Sequence, residues 1–152
     1  MRGVIQRVEE AYVRVEGQTI AEIGPGLLAL VSVEKDDGPQ DCDYLARKIL
    51  NMRVFSNEAG KMNHSVLEEK GQILVVSQFT LHGDCRKGNR PGFNLAESPP
   101  RAHVLFRKTL ELLRQSGLLV STGKFGAAMA VSSVNAGPVT ILLDSVSYTH
   151  LR

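Results

Sequence analysis

A chain of 152 residues, 43% hydrophobic and 22% charged, can bury a core without help from disulfides or metals. Its formal net charge of +2 does not by itself mark a nucleic-acid binder. No apolar run approaches the roughly 20 residues that span a bilayer, the start lacks a signal-peptide core, and Cys42 and Cys85 stand far apart without C-x-x-C spacing. The expectation is one reduced, cytoplasmic domain over residues 1–152 that makes no membrane contact.

Residues 2–9 and 11–16 alternate as strands, Gly17-Gln18 marks a turn, and residues 19–23 return as the second arm of an antiparallel hairpin. Gly24-Pro25-Gly26 breaks the chain, and residues 27–33 form a buried strand. After Gly38-Pro39, Cys42, Leu45, Ala46, Ile49 and Leu50 recur at helical spacing, with Asp41 and Asp43 early and Arg47 and Lys48 late, as the helix dipole prefers. Val54-Phe55 reads as a short strand, residues 56–61 as a turn and residues 63–70 as an irregular connection.

The stretch Gly71 to Leu81 organises the rest. Ile73 to Val76 are aliphatic on both faces, so they predict a fully buried strand. Ser77-Gln78-Phe79-Thr80 then places two hydroxyls and an amide where a core strand should remain apolar. Buried polar groups without partners cost roughly 1–3 kcal/mol each, so these need partners or a purpose. A glycine-rich basic loop with Arg86, Lys87 and Arg90 follows directly. Ser98 and Pro99-Pro100 open a second helix, whose buried stripe is Ala102, Leu105, Phe106, Leu110 and Leu113. Residues 118–121, 127–134 and 139–144 read as further strands, with Asn135-Ala136-Gly137-Pro138 as a turn; the tail from Ser147 carries no signal. About eight strands and two helices that do not alternate as βαβ predict an α+β fold, with mixed or mainly antiparallel sheet and helices on one side.

The common catalytic signatures are missing: no H-E-x-x-H, no G-x-S-x-G and no Walker loop. His64, His82, His103 and His150 show no metal-ligand spacing, so neither metal nor cofactor is expected. Cys42 reads as core. Cys85, in the basic loop, has only His82 as a nearby base. Thr80 could act as a nucleophile only with an activating base, and none is evident.

Ser77-Gln78-Phe79-Thr80-Leu81 and Asn135-Ala136-Gly137-Pro138-Val139-Thr140 together resemble the two hallmark motifs of the D-aminoacyl-tRNA deacylase (D-tyrosyl-tRNA deacylase) family. The opening Met1 to Val8, Ile23 to Leu28, Val33-Glu34-Lys35 and the loop Arg86 to Phe93 are similar to it as well, so the likeness runs along nearly the whole chain. It departs at Gly92, where Ser is expected, and at Ser32, where Gly is expected.

The resemblance implies a three-layer β/β/α sandwich and hydrolysis of the ester joining a D-amino acid to the 3′ end of tRNA. It also implies removal of glycine mischarged on tRNA-Ala. Under it, backbone N–H groups near Phe79 and Thr80 meet the oxyanion, Ser77 and Gln78 position the substrate, and Phe125 and Met129 hold the terminal adenine. Arg86, Lys87 and Arg90 meet the tRNA. A homodimer is implied, in which a cis Gly137-Pro138 peptide enters the partner's pocket and rejects L side chains. Two other readings stay open. One is a tRNA-end binder without hydrolysis, because a similar fold serves the editing domain of archaeal threonyl-tRNA synthetases. The other is a small-ester hydrolase with Thr80 as nucleophile.

Overall fold

The computed structural model describes residues 1–146; the tail from Ser147, with His150, lies outside the described residues. The first strand, β1 (Arg2–Val15), is one element rather than two. It pairs antiparallel with the last strand, β8 (Ala130–Asp144), and the register slips between Gln6 and Val8 and again between Val8 and Glu10. Such irregularities bend and twist a strand. Along its other edge β1 pairs first with β3 (Gly26–Ser32) and beyond that with β2 (Gln18–Ile23), closing the expected hairpin. β3 runs parallel to β6 (Gln72–Ser77), and β6 parallel to β7 (Val120–Thr122). These strands form one six-stranded mixed sheet, while β4 (Phe55–Ser56) and β5 (Met62–His64) make a separate ribbon. The parallel β3–β6 pairing starts at Gly26, where an added Cβ would lie 1.8 Å from the Gln72 carbonyl oxygen; only glycine fits there.

β3 and β6 are apolar on both faces because both faces are covered. Leu27, Ala29, Val31, Ile73 and Val75 meet the helices α1 (Pro39–Asn51) and α3 (Pro99–Arg114). Leu28, Leu74 and Val76 meet Val8, Ala11, Val13 and Ile23, from the distal half of β1 and from β2. The layers are therefore β/β/α, and both β layers belong to one curled sheet. Leu105, Phe106, Leu110 and Leu113 of α3 are buried, each contributing about 1.5–3 kcal/mol relative to exposure.

Four expectations need correction. Residues 63–70 are not irregular: β5 and a short helix, α2 (Val66–Glu69), occupy them. Ser65 and Glu68 form a capping box there, with both reciprocal bonds at 3.1 Å, and that S-x-x-E signal was present in the sequence. Ser98 occupies the N-cap of α3, but its hydroxyl donates to Glu97 at 3.3 Å instead of accepting from the helix. The strand after Gly71 ends at Ser77, and Phe79–His82 coil into a 3-10 turn. Finally, residues 127–134 and 139–144 are not two strands. β8 is continuous, and between Gln6 facing Thr140 and Val8 facing Asn135 it carries extra residues that step out of the ladder. That excursion contains Gly137-Pro138, whose peptide bond is cis.

Candidate active site

The end of β6 is held from behind. Gln78 N–H donates to the Val31 carbonyl at 2.8 Å, extending the β3 contact one residue past the strand. The 3-10 turn then takes over: Leu81 N–H donates to the Gln78 carbonyl at 3.1 Å, and Gly83 N–H to the Thr80 carbonyl at 2.9 Å. The amides of Phe79 and Thr80 head the turn and have no acceptor within it. Two adjacent N–H groups at a turn's head can stabilise a developing oxyanion.

Ser77, Gln78 and Phe79 open onto a cleft of about 630 Å³, and Phe93, Phe125 and Met129 also line it. Phe79 stands 56% exposed, its ring edge-on to Phe93 with centroids 5.1 Å apart. Phe125 stacks on His103 at 4.4 Å, which fixes the ring plane. The structure thus brings Phe125 and Met129 to the same hollow as the end of β6, across a long sequence separation. Thr80 does not line the cleft. Its hydroxyl accepts a hydrogen bond from the Gln78 side-chain amide, which is not a base.

Beneath the turn lies a group whose importance the sequence reading missed. Ser32 Oγ is 2.5 Å from His82 Nδ1 and donates to the Phe79 carbonyl at 3.3 Å. Ser32 and His82 are 2% and 1% exposed. Burial lowers the His82 pKa from 6.5 to about 4, and the positive charges of Arg2 and the Met1 ammonium add to this against Asp144. His82 is therefore neutral near pH 7, and with Nδ1 at Ser32 it is not available as a base for the exposed Cys85. Arg2 Nη1 donates to the Leu81 carbonyl at 3.0 Å and ties the same turn to β1. The available signal was Ser32 itself, a hydroxyl at the buried end of an apolar strand.

Gly137 and Pro138 are exposed and line no part of this cleft. Their excursion is braced from within: Arg7 Nε donates to the Ala136 carbonyl at 2.9 Å, and Val139 N–H to Asn135 Oδ1 at 2.8 Å. Gly137 has φ +138, and a Cβ there would lie 2.8 Å from Val139 Cγ2 and 3.0 Å from Arg7 Nη2.

Arg86, Lys87 and Arg90 do not reach the cleft either. Their loop is pinned by Asp84 and Gly92, whose N–H groups donate to each other's carbonyls at 2.8 and 2.9 Å. Lys87 and Arg90 line a second, smaller hollow. Among the described residues no group of three or more His, Cys, Asp or Glu could hold a metal ion. No helix among them is long and apolar enough to cross a membrane.

A family model described as D-Tyr-tRNA(Tyr) deacylase matches residues 4–144. A D-aminoacyl-tRNA deacylase of Thermotoga petrophila is 55% identical over 145 residues, covering 95% of this chain and 97% of the relative. That of Bacillus cytotoxicus is 52% identical, covering 95% and 99%. The solved structure of a c-Myc DNA Unwinding Element Binding Protein superposes with a TM-score of 0.89 at 42% identity, over 95% of this chain and 98% of that one. A probable eukaryotic D-amino acid tRNA deacylase shares the fold, with a TM-score of 0.79 at 16% identity, over 93% and 97%. Fold and relatives together define a deacylase, an enzyme of the hydrolase class. The chain belongs to the D-Tyr-tRNA(Tyr) deacylase family.

Proposed function

We propose that this protein hydrolyses the ester between a D-amino acid and the 3′ end of tRNA, in the cytoplasm, releasing the free amino acid and tRNA. One observation carries the reading: the Phe79 and Thr80 amides head a turn beside a largely apolar cleft, in a chain of this family. An aminoacyl ester is already activated, so a water positioned against it suffices when amides meet the oxyanion. The neighbouring 2′-hydroxyl of the terminal ribose assists the water, and the 3′-oxygen leaves with a proton. Ser77 and Gln78 position the ester, and Phe125 and Met129 hold the adenine, since apolar and aromatic surfaces accept a base without reading it.

Selection of the D configuration belongs, in this reading, to a second copy of the chain. Gly137 and Pro138 of one copy enter the cleft of the other and occupy the space an L side chain would need. Their exposure, and that of Val134 and Leu142 on the same strand at 44% and 77%, support a homodimer formed through β8. Exclusion by shape cannot reject glycine, so glycine mischarged on tRNA-Ala is a substrate too.

The test is ester loss from matched D-, L- and glycyl-tRNA. Rapid loss of the D and glycyl esters with the L ester spared is expected. Binding without loss of any ester would make the protein a tRNA-end binder, and a trapped acyl-threonine would move the chemistry to Thr80. A D-aminoacyl-tRNA ending in 2′-deoxyadenosine should react about 10²–10⁴-fold more slowly, the usual contribution of a positioned proton-transfer group.

A further inference from the structure

The last two residues of β3 grip the turn that carries the proposed oxyanion amides. Gln78 N–H donates to the Val31 carbonyl at 2.8 Å, and Ser32 Oγ donates to the Phe79 carbonyl at 3.3 Å. These two bonds fall on either side of the Gln78–Phe79 peptide, the unit that supplies the Phe79 N–H. The Phe79 carbonyl belongs to the next peptide, the same unit as the Thr80 N–H. A donor on that oxygen therefore acts on the second amide through the peptide itself. Hydrogen bonds in a chain polarise one another, and each strengthens the next by about 10–30%.

His82 fixes the direction of this chain. Ser32 has one hydroxyl proton, and it goes to the Phe79 carbonyl. The 2.5 Å contact between Ser32 Oγ and His82 Nδ1 then runs the other way, with Nδ1–H as the donor. His82 is neutral near pH 7, because burial above all lowers its pKa to about 4, so its single ring proton sits on Nδ1. Nε2 holds the lone pair, has no hydrogen-bond partner among the described residues, and lies 3.6 Å from Glu34 Oε1. The order is His82 Nδ1–H to Ser32 Oγ, Ser32 Oγ–H to the Phe79 carbonyl and, across that peptide, the Thr80 N–H.

The surroundings suit a relay. Ser32 and His82 are 2% and 1% exposed, so bulk water does not compete for their protons. His82 is the last residue of the 3-10 turn, so the relay begins and ends on the same short element. The family likeness puts Gly at position 32, and a glycine there would keep the bond to Gln78 but lose the one to Phe79. The second donor is an addition made by this chain's own serine and histidine.

We infer that Ser32 and His82 are positioning residues for the reaction: together they orient and polarise the Phe79–Thr80 peptide, so that the Thr80 N–H meets the developing oxyanion as a stronger donor than an unsupported amide. The inference rests on the proposed ester hydrolysis. Removing an oxyanion donor outright costs about 10²–10³-fold in kcat. A relay that strengthens such a donor by about 10–30% accounts for that share of the effect on a logarithmic scale, which is about two- to eight-fold.

Ser32→Ala and Ser32→Thr are compared with the unaltered protein, at a temperature where melting shows all three folded. Single-turnover hydrolysis of D-aminoacyl-tRNA at saturating protein gives the chemical rate, and tRNA affinity is measured separately. Ser32→Ala should lose about two- to eight-fold in rate with its affinity unchanged, and Ser32→Thr, which keeps a hydroxyl, should recover the rate. An unchanged rate in Ser32→Ala, a loss confined to affinity, or an equal loss in Ser32→Thr overturns the positioning role. Nitrogen-15 NMR reads the relay without any substrate. His82 of the unaltered protein should carry its proton on Nδ1 near pH 7, and the Thr80 amide nitrogen should move upfield in Ser32→Ala but not in Ser32→Thr. A proton on Nε2 would direct the Ser32 hydroxyl to Nδ1 and overturn the relay, as would a Thr80 resonance indifferent to Ser32→Ala. If the unaltered protein cleaves no D-aminoacyl ester, the proposed reaction fails, while the His82 and Thr80 resonances still decide the relay.

Discussion

The end of β6 and the excursion in β8 both interrupt apolar strands, yet they sit in opposite surroundings. Ser77, Gln78 and Phe79 open onto a cleft of their own chain and are supported from below by Val31, Ser32 and Arg2. Gly137 and Pro138 are braced just as firmly from behind, by Arg7 and Asn135, but face outward, with Leu142 77% exposed on the same strand. The first region is a site with a cleft to act on. The second is a braced projection that lines no part of the cleft formed by the described residues. Bracing of that kind orders residues at an entropic cost, and it has a purpose if another molecule meets what it presents. In the proposed function the first region bears the chemistry and the second selects the substrate, each half contributed by a different copy.

The largest effect is expected where the two halves meet. Gly137→Ala places a methyl group against Val139 and Arg7 at a positive φ that side chains rarely adopt. The displaced backbone should lower kcat/KM on D-aminoacyl-tRNA about a hundred-fold, the usual cost of an ångström-scale misplacement. Melting should show the fold intact. Mixing this variant with an inactive Gln78 variant, after exchange of subunits, should restore about a quarter of the unaltered activity, since half the dimers are mixed and each has one intact site. No recovery would mean that both halves act within one chain.

How far these halves can be read from sequence depends on what kind of contact defines them. Ile73 to Val76 are visible because a strand covered on both faces must be apolar throughout. The polar residues after them stand out for the same reason, but the switch from strand to 3-10 turn at Ser77 does not, because Phe79, Thr80 and Leu81 all suit a strand. The continuity of β8 is hidden too. Gly137-Pro138 looks like a turn, and only the Arg7 contact across the sheet shows that the chain steps out and rejoins the same ladder. Ser32 and His82 lie 50 positions apart, and no local pattern pairs them. Ser65-Val66-Leu67-Glu68 is the reverse case, a purely local capping box passed over because the helix it starts is so short.

The second prediction tests whether the β6 half is held by its foundation. Ser32→Ala removes the hydroxyl between His82 and the Phe79 carbonyl and leaves Nδ1 buried without a partner. The expected cost is roughly 1–3 kcal/mol, read as a fall in Tm of about 2–4 °C for each kcal/mol. His82 also gives the unaltered protein an acid limit. Its pKa is about 4 in the native state against 6.5 when exposed, so below 6.5 the unfolded chain binds the extra proton first. Stability should be fully present above pH 6.5 and decline as the pH falls toward about 4. His82→Gln should flatten this part of the profile; a decline of unchanged size would show that His82 is not its source.

The smallest effect is expected at Thr80, and it separates backbone from side-chain chemistry within the β6 half. Thr80 is exposed, its hydroxyl already accepts from the Gln78 amide, and it does not line the cleft. A serine- or threonine-type nucleophile needs a base within hydrogen-bond reach, and among the described residues none contacts it. Thr80→Ala keeps the backbone N–H at the head of the turn and removes only the hydroxyl. Alanine suits a helical turn, so the geometry at Phe79 should persist. The expected loss in kcat is under about ten-fold, through a less restrained Gln78, against the 10²–10³-fold loss typical when an oxyanion donor itself is removed. Single-turnover hydrolysis of D-aminoacyl-tRNA by Thr80→Ala measures this directly. A loss beyond a thousand-fold with tRNA binding intact would place a covalent step on the hydroxyl and leave the turn amides a secondary part.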